Sequence, residues 1–174
     1  MILCDADIEE EIRQGHLRFD PPVGETQIQT ASVDLRLGSE LRIPQPLSGL
    51  ILSPNERISA EHLGVLHQIP TSGYILPPGG FVLGSTYESV HFPLELSARL
   101  EGKSSIARVG LVVHITSAHI APGFSAPIVL EIANLGVNSV VLVPRMFICQ
   151  LVLERLSGQP KSGYQGRFQG QTSA

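Results

Sequence analysis

The chain has 174 residues, of which 43% are hydrophobic and 16% charged, with a net charge of -4 and a pI of about 5.8. Those values exclude a disordered chain and a basic protein that grips a nucleic-acid backbone, and the length suits one domain whose core needs no staples. Two cysteines, Cys4 and Cys149, no basic n-region at the start and no apolar run of membrane-spanning length predict buried thiols in preference to a disulfide, no membrane and a cytoplasmic location.

The first predicted element is a helix over residues 7–14. Asp7 is placed to cap it, Glu10 follows three residues on, and Gly15 can end it. Ile8 and Ile12 lie one turn apart and form its buried stripe. Beyond it, 17 glycines and 13 prolines punctuate the chain. Aliphatic runs recur between them at 33–37, 80–83, 110–115, 127–132, 137–143 and 147–153. Short strands at regular spacing predict a mostly β sandwich or barrel. Helical turns are expected only near 59–63 and 104–108. Residues 1–156 form the single domain.

The tail, 157–174, is rich in Gly, Gln and Ser and nearly free of aliphatics. Its composition alone reads as a loose terminus. Tyr164, Arg167, Phe168 and Gln171 nevertheless suit stacking and hydrogen bonding, as in an arm that closes over a ligand.

Two clusters carry chemistry. Lys103, Ser104, Ser105 and Arg108 bring small hydroxyls and cations together, which suits an anion such as a phosphate. Glu131 directly follows Pro127-Ile128-Val129-Leu130. A lone carboxylate at the end of so apolar a strand is solvated, paired or used. His114, alternating with Val113 and Ile115, reads as a histidine at the edge of the core. There is no H-x-E and no C-x-x-C, the signature of zinc-dependent nucleobase deaminases.

The run from Glu101 to Glu131 resembles the dCTP deaminases of the trimeric dUTPase-like superfamily. The resemblance lies in Gly102-Lys103-Ser104-Ser105-Ile106-Ala107-Arg108, in Val113-His114-Ile115-Thr116, in Ile120-Ala121-Pro122-Gly123-Phe124 and in Leu130-Glu131. It continues upstream in Ser32-Val33-Asp34-Leu35-Arg36-Leu37-Gly38 and in residues 78–88. Downstream it covers Ile148-Cys149-Gln150-Leu151 and Tyr164 to Gln171. Blocks in order along nearly the whole chain are far more specific than any one of them.

The resemblance implies a distorted β-barrel or jelly-roll-like, dUTPase-like fold with a short N-terminal helix. It implies a homotrimer with sites at subunit interfaces and a C-terminal arm over the nucleotide. The implied reaction is dCTP + H₂O → dUTP + NH₃, without zinc, the Mg²⁺ being carried by the triphosphate. Glu131 would be general base and acid. Ser104, Arg108 and the Ser117 backbone would position water and amine. Lys103, Ser105, Arg167 and Gln171 would meet phosphates, within a nucleotide-binding run that includes Ile106 and Ala107. Gln150 and Tyr164 would frame the nucleotide, and the Val129-Leu130 backbone would read the base. dTTP is a candidate inhibitor.

The chain departs from the family pattern at Ala121, where many members carry Asp, at Ala126, where Gly is usual, and at Arg167, where Lys is usual. In related dUTPases the Asp activates water, which Ala cannot do. In deaminases the position meets the sugar 3′-OH, partly through its backbone. The alternatives are a bifunctional enzyme that forms dUMP and diphosphate, a dUTP diphosphatase, and a non-catalytic nucleotide sensor.

Overall fold

The computed structural model describes residues 1–46, 48–49, 51–53, 55, 60–166 and 169–171. In chain order it contains α1 (Asp5–Arg13), β1 (Arg18–Asp20), a 3-10 turn (Glu25–Gln27), β2 (Ile28–Gln29), β3 (Ser32–Ile43), α2 (Ala60–Leu63), β4 (Val65–Gln68), β5 (Tyr74–Leu76) and β6 (Phe81–His91). There follow β7 (Leu96–Gly102), α3 (Ser104–Ala107), β8 (Leu111–Val112), β9 (His119–Ile120), β10 (Ser125–Asn134), β11 (Val140–Leu142) and β12 (Phe147–Arg155).

The mostly β expectation holds. The spine of the large sheet runs β8-β10-β6-β3-β12-β7-β9, with β1 added to β6, and β2 and β4 to β3. Its pairings are antiparallel, and it curls into a half-barrel. β5 and β11 form a separate pair. Twelve-residue β3 is the spine, because its first half pairs with β12 and its second half with β6. Alternate residues Val33, Leu35 and Leu37 of β3 enter the core. There they meet Leu130 and Ile132 of β10 and Leu151 of β12.

The helix differs from expectation at its start. It begins at Asp5, and Cys4, not Asp7, is its N-cap residue, with no side-chain cap bond. Asp7 lies in the first turn, where a carboxylate faces the positive end of the helix dipole. Ile8 is fully buried and Gln14 closes the helix.

The aliphatic run at 110–115 also departs from expectation. Only Leu111 and Val112 are strand, and the chain then turns away toward β9. β7 was not foreseen at all. Its aliphatics, Leu96, Ala98 and Leu100, are separated by Ser97, Arg99 and Glu101, so it shows period-two alternation and no aliphatic run.

Candidate active site

Glu131 lies within β10, three residues before its end, and so is not the strand-end carboxylate that its sequence context suggested. Alternation puts Ile128, Leu130 and Ile132 in the core and leaves Pro127, Val129 and Glu131 partly exposed on the opposite face. A register shift between Pro127 and Val129 offsets β6 against β10, and the alternation along β10 runs through it unbroken. The Ile128 N–H, displaced from the ladder, donates to Thr86 Oγ1 at 2.9 Å, and Thr86 Oγ1 donates to the Glu88 carbonyl at 2.7 Å. Glu88 is itself fully buried. It accepts from Arg36 Nε at 2.6 Å and Gln27 Nε2 at 3.0 Å, which offsets the cost of a buried charge.

The segment after β8 holds Glu131 at two points. The Glu131 N–H donates to the Val113 carbonyl at 3.1 Å, and the Ile115 N–H donates to Glu131 Oε2 at 2.8 Å. Oε1 has no hydrogen-bond partner among the described residues. One carboxylate oxygen is therefore fixed by a backbone donor, while the other faces outward and can take a proton. Sequence reasoning missed the Ile115 N–H, because a main-chain donor leaves no mark in residue identities. Ser117 lies two residues further on, exposed, and its carbonyl accepts no backbone hydrogen bond among the described residues. His114 stays partly buried beside them, with its Nδ1 unpaired among the described residues.

The tail folds back along the lead-in to β10. The Tyr164 N–H donates to the Pro122 carbonyl at 2.7 Å, and its ring packs on Phe124 with centroids 5.8 Å apart. Gly163 comes so close that a Cβ on Gly123 would lie 2.9 Å from its Cα, and Gly123 has a φ of 75°. A side chain at Gly123 would therefore separate arm from body. Further along, Gln169 Nε2 donates to the Gly123 carbonyl at 3.0 Å, and Gln171 Nε2 donates to the Pro127 carbonyl at 3.0 Å. Ala121 closes the same turn, its carbonyl accepting from the Phe124 N–H at 3.2 Å. The arm's Arg167 lies outside the described residues.

Lys103 to Arg108 forms a second group. Lys103 precedes α3 and Arg108 follows it. Ser104, Ser105, Ala107 and Arg108 are exposed and Ile106 packs against the core. The Arg108 side chain makes no ion pair or hydrogen bond among the described residues. Lys103 does have a partner, since its Nζ lies 2.5 Å from Asp34 Oδ1. Gln150, expected beside the nucleotide, is held by two hydrogen bonds within the chain. Its Oε1 accepts from Ser32 Oγ at 3.0 Å, and its Nε2 donates to the Gly102 carbonyl at 3.2 Å.

The chain thus brings the segment before Ser117 onto Glu131, while Tyr164 and Gln171 dock on the lead-in and first residues of β10, beside Ala121. No hydrogen bond or ion pair among the described residues joins them to Ser104, Ser105 or Arg108. Gly110, two residues after Arg108, packs on Gly136, five residues beyond Glu131. At roughly 3.3 Å per strand residue, that contact is on the order of 15 Å from Glu131.

A family model described as dCTP deaminase-like matches residues 2–156, so the chain belongs to that family. A relative from Streptomyces coelicolor named "dCTP deaminase, dUMP-forming" is 40% identical over 98% of this chain and 91% of its own length. One of the same name from Methanothermobacter thermautotrophicus is 37% identical over 99% and 92%. A relative from Natronomonas pharaonis named "dCTP deaminase" is 39% identical over 99% and 91%. Among solved structures, the 2′-deoxycytidine 5′-triphosphate deaminase of Agrobacterium tumefaciens shares the fold. Its TM-score is 0.70 at 23% identity, and the match covers 88% of this chain and 47% of that one.

Proposed function

We propose that this chain deaminates dCTP, with Glu131 as the proton-transfer group. The observation that carries the reading is the Glu131 carboxylate, pinned at Oε2 by the Ile115 N–H with Oε1 open on the exposed face of β10. Oε1 takes a proton from water as the water oxygen bonds to C4 of cytosine. The same carboxyl passes that proton to N3, then takes the remaining proton from the C4 hydroxyl and hands it to the exocyclic amine, so the C4–N bond breaks, ammonia leaves and C4 becomes a carbonyl. The Ser117 carbonyl orients the water, and Ser104 and Arg108 hold the amine and the water. Lys103, Ser105, Arg167 and Gln171 receive the phosphates of the Mg²⁺–dCTP substrate. The backbone of Val129 and Leu130 reads the base, with Tyr164 closing over it. The reading needs no zinc, since the carboxylate activates the water and the zinc-deaminase motifs are absent from the sequence.

We assign the two groups of residues to different subunits of a homotrimer. Val109, Ile115, Leu135 and Val137 are exposed beside them, and apolar side chains grouped around polar ones mark a surface that another copy covers. The product favoured by the relatives' names is dUMP with diphosphate. This revises the sequence-based expectation of dUTP. A second reading, dUTP as final product, is favoured by Ala121, which has no carboxylate to activate water against the phosphates.

Incubation with dCTP and Mg²⁺, followed by anion-exchange separation, tests the proposal. dUMP and diphosphate support the first reading. dUTP alone supports the second. No conversion of dCTP contradicts both.

A further inference from the structure

On the outer face of the sheet, directly beneath the Lys103–Arg108 turn, the register places Asp34 of β3 opposite Gln150 of β12, and Gln150 opposite Glu101 of β7. Ser32 shares that face two residues before Asp34. A polar row across a sheet is ordinary on a solvated face, but Asp34 is 5% exposed and Ser32 8%. Burying a carboxylate is costly unless it is paired.

The row has two attachments to the turn above it. Ser32 Oγ donates to Gln150 Oε1, and Gln150 Nε2 donates to the Gly102 carbonyl, which fixes the last residue of β7. Asp34 Oδ1 then pairs with Lys103 Nζ, on the next residue. An ammonium has three N–H donors. Asp34 engages Lys103 while the lysine side chain stays partly exposed, and the Phe147 ring lies 5.8 Å from the Nζ. The contact is a charge pair without an aligned hydrogen bond to Oδ1, so the ammonium is kept beside the carboxylate with its donors free.

We propose that Ser32 and Asp34 are positioning residues for nucleotide binding, forming a clamp that sets the Lys103–Arg108 turn and aims the Lys103 ammonium at the phosphates. This rests on the proposed role of Lys103 above. A long flexible lysine otherwise loses rotamer freedom on meeting a phosphate. The buried carboxylate bears that cost before the substrate arrives, as preorganisation requires.

The test is a mutant cycle on Asp34→Asn and Lys103→Met, read as KM and kcat for Mg²⁺–dCTP. If wild type binds dCTP without turnover, it is read as Kd. Asp34→Asn should raise KM about tenfold and change kcat less than about threefold, and should raise KM no further in the Lys103→Met background. Equal effects in both backgrounds, or a fall in kcat at constant KM, overturn the assignment. Ser32→Ala removes only the Gln150 tether and serves where Asp34→Asn does not fold. It should raise KM about two- to threefold, and an unchanged KM overturns the clamp. A wild type that neither binds nor converts dCTP contradicts the proposed function and removes the ligand the clamp is inferred to serve. An active wild type with insensitive clamp variants contradicts the clamp alone.

Discussion

The Glu131 region and the Lys103–Arg108 turn differ in how far a single chain completes them. Around Glu131 the chain supplies a backbone donor for one carboxylate oxygen, a second main-chain tie to Val113, and an arm that docks on the same strand at Pro127. The turn is anchored from below by Asp34 and Gln150, yet Ser104, Ser105 and Arg108 are exposed without side-chain partners among the described residues. A cation left exposed and unpaired in a net-acidic chain is poised for an anion or for another subunit. The comparison teaches that one half of the proposed site is built and the other half is presented.

Breaking the built half has the largest expected effect. Glu131→Gln keeps shape and removes the proton acceptor, so kcat should fall by about 10³-fold or more with the fold intact. Steady-state ammonia release together with circular dichroism checks it, and near-normal kcat would contradict the mechanism.

Next comes the junction between the halves. Gly110 has a φ of 91°, and a Cβ there would lie 2.3 Å from the Gly136 nitrogen. Gly110→Ala forces the turn away from the end of β10. Thermal melting should show a loss of about 5 °C or more, from backbone strain and the displaced contact. An unchanged Tm would mean that the junction is loose.

The arm gives a smaller effect. Tyr164→Ala removes the ring packed on Phe124, so KM for dCTP should rise by about three- to tenfold, with kcat less affected. Unchanged kinetics would show that arm docking does not contribute to binding.

The smallest effect sharpens the view of the clamped side. Cys149 pairs with Gly102 and is fully buried. Desolvation pushes its thiol pKa well up, and the nearby Glu88 and Asp34 charges add to the shift. Cys4 is exposed. A maleimide at pH 8 should label Cys4 alone, as read by mass spectrometry of tryptic peptides. Labelling of Cys149 would show that this face opens.

Much of the fold was legible because the aliphatic runs obey simple alternation. Pro127 to Ile132 reads as a strand and is one, and Ile8 with Ile12 marks the buried side of the helix. Boundaries were less legible. Residues 110–115 are apolar enough for a strand, but past Val112 the segment leaves the ladder, and its Val113 carbonyl and Ile115 N–H meet the Glu131 N–H and carboxylate. For the site, residue types singled out Glu131 and the Lys103–Arg108 turn. They did not show that Gln150 is bonded within the chain, nor that Asp34 is the partner of Lys103. Those facts depend on strand register, which brings residues distant in sequence side by side. The signal for Asp34 was present in Ser32-Val33-Asp34-Leu35-Arg36, where polar residues alternate with buried aliphatics, but a polar face on a strand is ordinarily solvent.

The most direct test of the divided site is complementation. Glu131→Gln and Arg108→Ala should each be nearly inactive alone, with Arg108→Ala losing about 10²-fold. Co-expressed in equal amounts as mixed oligomers, they should recover up to about a quarter of wild-type activity, because one subunit's Arg108 then meets another's Glu131. Co-assembled variants that remain as inactive as the separate ones would mean that both groups come from a single chain, and would contradict the account.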